Sequence, residues 1–165
     1  MKKINEKKLM LLIVIIVVLL VVMAFGISIL FGGAKRVASN YAKGMSNYDS
    51  KLIADLYIEE MFKESYQSKE EVIKELDTMF DSMKSAGFQI VRYEFDKHYK
   101  VYENKELDER KKQLIEYYKI EDKSIKEIRR YDVTFYCVYE NESKEVEMKL
   151  NIAKIKNKWY LISTE

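Results

Sequence analysis

His98 and Cys137 are the only histidine and the only cysteine in 165 residues, so chemistry that depends on either side chain has one place to occur. A hydrolytic histidine needs a nucleophile within hydrogen-bond reach and a third group to orient its ring. His98 sits in the charged stretch Asp96-Lys97-His98-Tyr99, and no Ser or Cys of the chain has a recognisable nucleophile setting. It reads as an exposed or half-exposed loop residue. A reactive thiolate needs an electropositive, partly exposed environment. Cys137 instead alternates with Phe135 and Tyr139 on the apolar side of a strand pattern and reads as a buried core thiol. A lone cysteine also excludes an intramolecular disulfide and any Cys-based zinc or iron–sulfur site.

Three acidic pairs, Glu59-Glu60, Glu70-Glu71 and Asp108-Glu109, place carboxylates side by side, as general acid–base or metal chemistry would require. None is joined by a histidine, a Gly-x-Asp loop or the spacing of a calcium loop. Lys and Arg interleave them throughout, which is the pattern of solvated helix faces with i,i+4 ion pairs. The sequence therefore assigns no catalytic residue, no metal ligand and no cofactor. With 29 basic against 27 acidic side chains and no basic stripe, nucleic acid is not an expected partner.

The elements that would position any site follow from periodicity. Val37, Tyr41 and Met45 recur every four residues with Ala38 and Ala42 beside them, predicting a helix from Lys35 to about Asn47. Asn47-Tyr48-Asp49-Ser50 breaks it, and Leu52, Ile53, Leu56, Tyr57 and Met61 resume the helical pattern as a second helix. Ser68-Lys69-Glu70-Glu71 fits a capping box ahead of Val72, Leu76, Met79, Phe80 and Met83, with Gly87 as a left-handed stop. From Phe88 the period falls to two. Strands are expected at Ile90–Phe95, continuing irregularly through Tyr99–Tyr102, and again at Arg130–Glu140. After a turn at Asn141-Glu142-Ser143, the next strand sets Val146, Met148, Leu150 and Ile152 against Glu145, Glu147, Lys149 and Asn151. Lys156-Asn157-Lys158 turns the chain into a closing strand. An inserted surface helix is expected from Glu106 to Tyr118, within an insertion at about 104–128, with Leu107, Leu114 and Ile115 on one side. Helices followed by an antiparallel meander indicate an α+β domain, three helices packed on one sheet face.

The amino terminus differs from all of this. Residues 9–31 carry no charged side chain, and as a helix they would span roughly 34 Å, enough for a hydrocarbon core. Lys2, Lys3, Lys7 and Lys8 precede them, opposed only by Glu6. That bias predicts a cytoplasmic tail (1–8), a transmembrane helix (9–31) and an extracytoplasmic domain (35–165). The competing reading is a cleaved signal peptide with Gly32-Gly33-Ala34 as the cleavage site and a secreted product; the apolar run exceeds the usual 7–15 residues of such a signal. Absence of a lipobox cysteine excludes lipid attachment there.

The order of elements, with two local patterns, resembles the nuclear transport factor 2-like superfamily. The first pattern is Val37-x-x-x-Tyr41-Ala42-x-x-Met45 leading through Asn47-Tyr48-Asp49 to Leu52-Ile53-x-x-Leu56-Tyr57. The second is the hairpin Leu150-x-Ile152-x-Lys154-Ile155-x-Asn157-Lys158-Trp159-Tyr160-Leu161-Ile162. Asn157 stands where members usually have a turn glycine, and the insertion at 104–128 departs from a minimal member. The chain looks like the anchored extracytoplasmic versions of Gram-positive bacteria. The resemblance implies a cone of helices on a curved sheet, with a cavity that Tyr41, Tyr93, Phe95, Phe135, Tyr139 and Trp159 could line as ligand-pocket candidates; read on their own, these aromatics fill the core first and line a pocket second. The family's enzyme, ketosteroid isomerase, sets an Asp base against an oxyanion hole, and that trio does not map onto this chain.

The expected function is thus a single-pass membrane protein with a non-enzymatic domain outside the cell, which binds a protein partner or a small apolar ligand. The alternatives are a structural subunit of an envelope assembly, such as a secretion or conjugation complex, and a lyase or isomerase using the cone cavity.

Overall fold

Small residues decide how the first helix packs. In α1 (Ala34–Asn47) the buried stripe is Ala34, Val37, Ala38, Tyr41, Ala42 and Gly44. A Cβ at Gly44 would stand 2.6 Å from Ile53 Cγ1, so α2 (Ser50–Ala54) rests where only glycine fits. The computed structural model describes residues 33–65 and 67–165. The expected cytoplasmic tail and transmembrane helix fall in residues 1–32, outside the described residues. Among the described residues no helix is long and apolar enough to cross a membrane.

The second expected helix is in fact two. Asp49 caps α2 by accepting from the Leu52 N–H at 3.0 Å, but the helix ends at Ala54 and α3 (Glu59–Glu64) starts afresh. The cause is a strand: the Leu56 carbonyl accepts from the Leu161 N–H at 2.8 Å, a bond that a continuous helix would have denied it. In α4 (Lys69–Ser85) the expected capping box is present, with Ser68 and Glu71 satisfying each other's backbone N–H. Its end is a Schellman turn, Phe88 N–H to Met83 O and Gly87 N–H to Lys84 O, both 2.9 Å, with Gly87 at φ +72°.

The sheet is antiparallel in the order β1 (Gln89–Phe95), β3 (Ile125–Tyr139), β4 (Glu142–Ile155), β5 (Lys158–Thr164), with the short β2 (Lys100–Val101) also on β3. Both hairpins close through two-residue turns with left-handed backbone at both positions, Glu140-Asn141 (φ 50° and 65°) and Lys156-Asn157 (φ 48° and 68°), the geometry that matches strand twist. The first turn thus lies one residue earlier than expected, and Glu142 is already paired with Tyr139.

Alternation along β3 sends Tyr131, Val133, Phe135 and Cys137 to the face covered by α1, together with Leu150, Ile152 and Leu161. The other face is buried at the opposite end of the strands, where Ile128, Ala153 and Ile155 pack with Leu114 of α5 (Asn104–Tyr118) and with Tyr102, Ile120 and Ile162. The helix expected from Glu106 to Tyr118 is α5, which starts two residues earlier and ends where expected, and what differs is the segment after it. The helix stops at Tyr118 on Lys119 (φ 53°), a 3-10 turn follows at Asp122–Ser124, and β3 begins at Ile125 rather than Arg130. A register shift between Ile125 and Glu127 breaks the period of two, which hides the start of the strand from the sequence. Nor is α5 a surface ornament, since Leu114 is 3% exposed.

Gly44→Ala tests the closest helix contact. Helix propensity favours Ala by about 1 kcal/mol, whereas forcing a methyl against the buried Ile53 costs about 1–3 kcal/mol. The net expectation is a lower melting temperature by a few degrees in a circular-dichroism melt. A rise would show that α2 yields freely.

Candidate functional site

The residues with chemical potential are scattered. His98 is exposed in the bend between β1 and β2, as its sequence context predicts. Cys137 is buried, and desolvation pushes its thiol up, away from the thiolate. The acidic pairs lie on separate helices: Glu59 and Glu60 reach Lys63 at 2.8 Å and Lys156 at 3.2 Å, Glu71 serves the cap of α4, and Glu109 reaches Lys105 at 3.8 Å. Among the described residues no group of three or more His, Cys, Asp or Glu could hold a metal ion.

Five of the six aromatic candidates meet in one place. Tyr41 and Phe135 are buried in the core under α1, and Tyr93, Phe95 and Trp159 pack against it half-buried. The Tyr93 ring contacts Phe95 edge-on (5.8 Å between centroids) and Phe135 (6.3 Å), and the Tyr41 hydroxyl donates to Met148 Sδ at 3.3 Å. Burial pushes the Tyr41 and Tyr57 hydroxyls up, so both stay neutral donors. These rings fill space against one another. Trp159 is less enclosed than a core anchor, because Arg129 covers its ring at 4.8 Å while also stacking over Tyr99 at 4.8 Å. Tyr99 in turn stacks on Tyr131 at 5.3 Å. Tyr139 stands apart at the far end of β3.

Tyr139 instead lines an open apolar groove of about 470 Å³ with Ser82, Met83, Ala86, Phe88 and Lys144. Its floor is a consequence of the Schellman turn, which swings Phe88 back beside Met83. On the opposite sheet face a polar cleft of about 330 Å³ runs past Asp96, Asp132, Thr134, Glu147, Lys149 and Glu165. Arg130 pairs with Asp132 at 2.8 Å and Arg110 with Glu165 at 2.9 Å. Asp96 and Glu147 make no ion pair with another described residue.

Behind that cleft lies a polar chain that alternation alone misassigns. Asn151 belongs, by period, with the solvent-facing Lys149, Glu147 and Glu145, yet it is fully buried, because Tyr102 and α5 cover this end of the sheet. Its side-chain oxygen accepts from the Tyr102 hydroxyl at 2.8 Å, and its amide donates to Ser163 Oγ at 3.0 Å and Glu165 Oε1 at 2.9 Å. The single signal for it in the sequence is an Asn bracketed by Leu150 and Ile152. Burial opposes the charge of Glu165, but Arg110 and Asn151 hold its carboxyl below the usual range.

Comparisons of the chain with protein-family models, with characterised proteins and with solved structures return no match. The site must therefore be read from its own geometry. Besides the groove at Tyr139 and the cleft at Glu147, the described residues form open pockets of about 460 Å³ beside Tyr57, Phe62 and Lys69 and of about 370 Å³ beside Tyr48, Ser50 and Asp77.

The Asn151 chain makes a graded prediction. Asn151→Ala strands the buried Tyr102 hydroxyl and is expected to cost roughly 2–4 kcal/mol in denaturant unfolding, against about 1 kcal/mol for Tyr102→Phe, with the pair less than additive. Glu165 adds a pH dependence. Its folded value is depressed, so its contribution is complete above the unfolded carboxylate value of about 4.3 and is lost as pH falls through the lower folded value. Glu165→Gln should flatten that part of the acid limb.

Proposed function

We propose that this chain is a single-pass membrane protein whose carboxyl-terminal domain acts outside the cytoplasm as a binding module, without catalysis of its own. The observation that carries the reading is the uncharged run 9–31 behind Lys2, Lys3, Lys7 and Lys8, ending within three residues of the start of α1 at Ala34. Such a run suits one bilayer crossing, and the cluster sets its direction. The nuclear transport factor 2-like assignment belongs to the same proposal. Its support is the order of elements, α1 to α4 ahead of an antiparallel meander, with the Lys156-Asn157 hairpin delivering Trp159 to the α1 face.

Binding is favoured over catalysis by how the polar groups are used. Cys137 faces the core, His98 stands alone in solvent, and the buried polar side chains Tyr102 and Asn151 satisfy each other. Under α1 the Tyr93 ring packs against Phe95 and Phe135. What the domain offers to other molecules is surface: the apolar groove beside Tyr139 and the acidic cleft beside Glu147.

Topology is the direct test. With a tag after Glu165 and another before Met1, protease added to intact, wall-stripped cells should remove the first and spare the second. A carboxyl-terminal tag that survives until the membrane is broken would overturn the reading, and release of the domain into the medium would favour the cleaved signal instead.

A further inference from the structure

The β4 strand is longer than its outer neighbour. On one side β3 pairs with it from Glu142 to Ile155, but on the other β5 pairs only with residues 150–155. The last backbone bonds on that side join Lys149 and Glu165, N–H to carbonyl in both directions at 2.8 and 2.9 Å. Beyond them, among the described residues, no strand covers the edge from Ser143 to Glu147. Because both backbone groups of Lys149 point outward, alternation along an antiparallel strand turns those of Glu147, Glu145 and Ser143 outward too. Side chains from Glu142 to Glu147 are exposed on both faces. An open row of backbone donors and acceptors is a template for one more strand.

The charges say which strand. On the face away from α1 the edge presents Glu145 and Glu147, neither in an ion pair with another described residue, and Glu147 also lines the cleft that continues inward to Asp132 and Asp96. On the α1 face, between the two glutamates in sequence, Val146 is 39% exposed. A second copy of this chain fits poorly in the registers that overlap the two glutamates. In a twofold antiparallel pairing, residues on the same face oppose, so centring on Glu145 sets it against itself and centring on Val146 sets Glu145 against Glu147. Like charges directly opposite destabilise a sheet.

We propose that the β4 edge from Ser143 to Glu147 binds an extended basic segment of another protein by strand addition. Its Lys or Arg side chains, two residues apart, lie against Glu145, Glu147 and the cleft acids, and an apolar side chain between them lies on Val146. This rests on the reading of the domain as a binding module and names its partner class. The backbone supplies affinity, and the alternating cations supply register.

The test uses the full chain in a zwitterionic detergent and a fluorescent seven-residue peptide alternating Lys with Val, followed by anisotropy. Three companions share the assay: the same peptide N-methylated on alternate amides, a version with Glu for Lys, and the protein carrying Glu145→Lys with Glu147→Lys. Binding by the parent peptide is expected to weaken by about tenfold or more in each companion, while Glu109→Lys on α5 leaves it unchanged. Circular dichroism confirms that the variants remain folded. Equal binding of the N-methylated peptide would reduce the effect to diffuse charge attraction and overturn strand addition. Equal loss with Glu109→Lys, or no loss in the edge variant, would overturn the site. Sedimentation of the wild type as a dimer that the edge variant abolishes would replace the basic partner with a second copy. The outcome is separable from the topology test: a domain outside the cell that ignores the peptide keeps the module reading and loses this edge.

Discussion

The structure depends on β3 being buried on opposite faces at its two ends. From Tyr131 to Cys137 its apolar side chains meet α1; at Ile128 they meet α5 and the residues around Leu114. One strand therefore joins two cores that no helix could serve together. Its neighbour β4 follows the same change, Leu150 and Ile152 belonging to one core and Ala153 and Ile155 to the other. Each core alone is small, and small cores supply little net stability against chain entropy. Sharing the strand lets both act as one.

That arrangement explains where polar groups are buried and where surface is left open. At the α5 end, covering a face that alternates with polar residues encloses Asn151, so its amide and oxygen must find Tyr102, Ser163 and Glu165. At the other end the same face is uncovered, and Glu145 and Glu147 remain in water. The acidic cleft is the boundary between these regimes. Arg130 and Arg110 neutralise Asp132 and Glu165 at its covered end, and the open end retains its charge. Among the described residues, β5 pairs only with the 150–155 half of β4, and no strand lies beside the other half.

Much of the α1 side of the fold was legible in the residues. Ala38, Tyr41 and Ala42, the Ser68–Glu71 cap, the Gly87 stop and the alternation from Tyr131 to Tyr139 all obey local rules that survive packing. The α5 side was not, because its elements depend on long-range contacts. The bulge after Ile125 erased the period at the start of β3, the Leu161 bond to Leu56 divided a helix that its own spacing extends, and Asn151 keeps a surface residue's position in the pattern while being covered by Tyr102. The candidate aromatics were legible as a group, as core or as pocket lining, since composition and spacing cannot tell rings that line a void from rings that touch. Tyr139 departs from the group at the far end of β3, while Trp159 stays at the margin of the α1 core with the Arg129 guanidinium over its ring.

Native-state hydrogen exchange on the amides of β3 and β4 tests the shared strand most directly. If both cores stand or fall together, the slow amides of Ile128 and Ala153 on the α5 side and of Val133 and Leu150 on the α1 side will exchange with the same free energy and the same denaturant dependence, that of global unfolding. Exchange of Ile128 and Ala153 through a separate, lower-energy opening with a smaller denaturant slope, while Val133 and Leu150 remain protected, would contradict the account and make the α5 core an independent appendage.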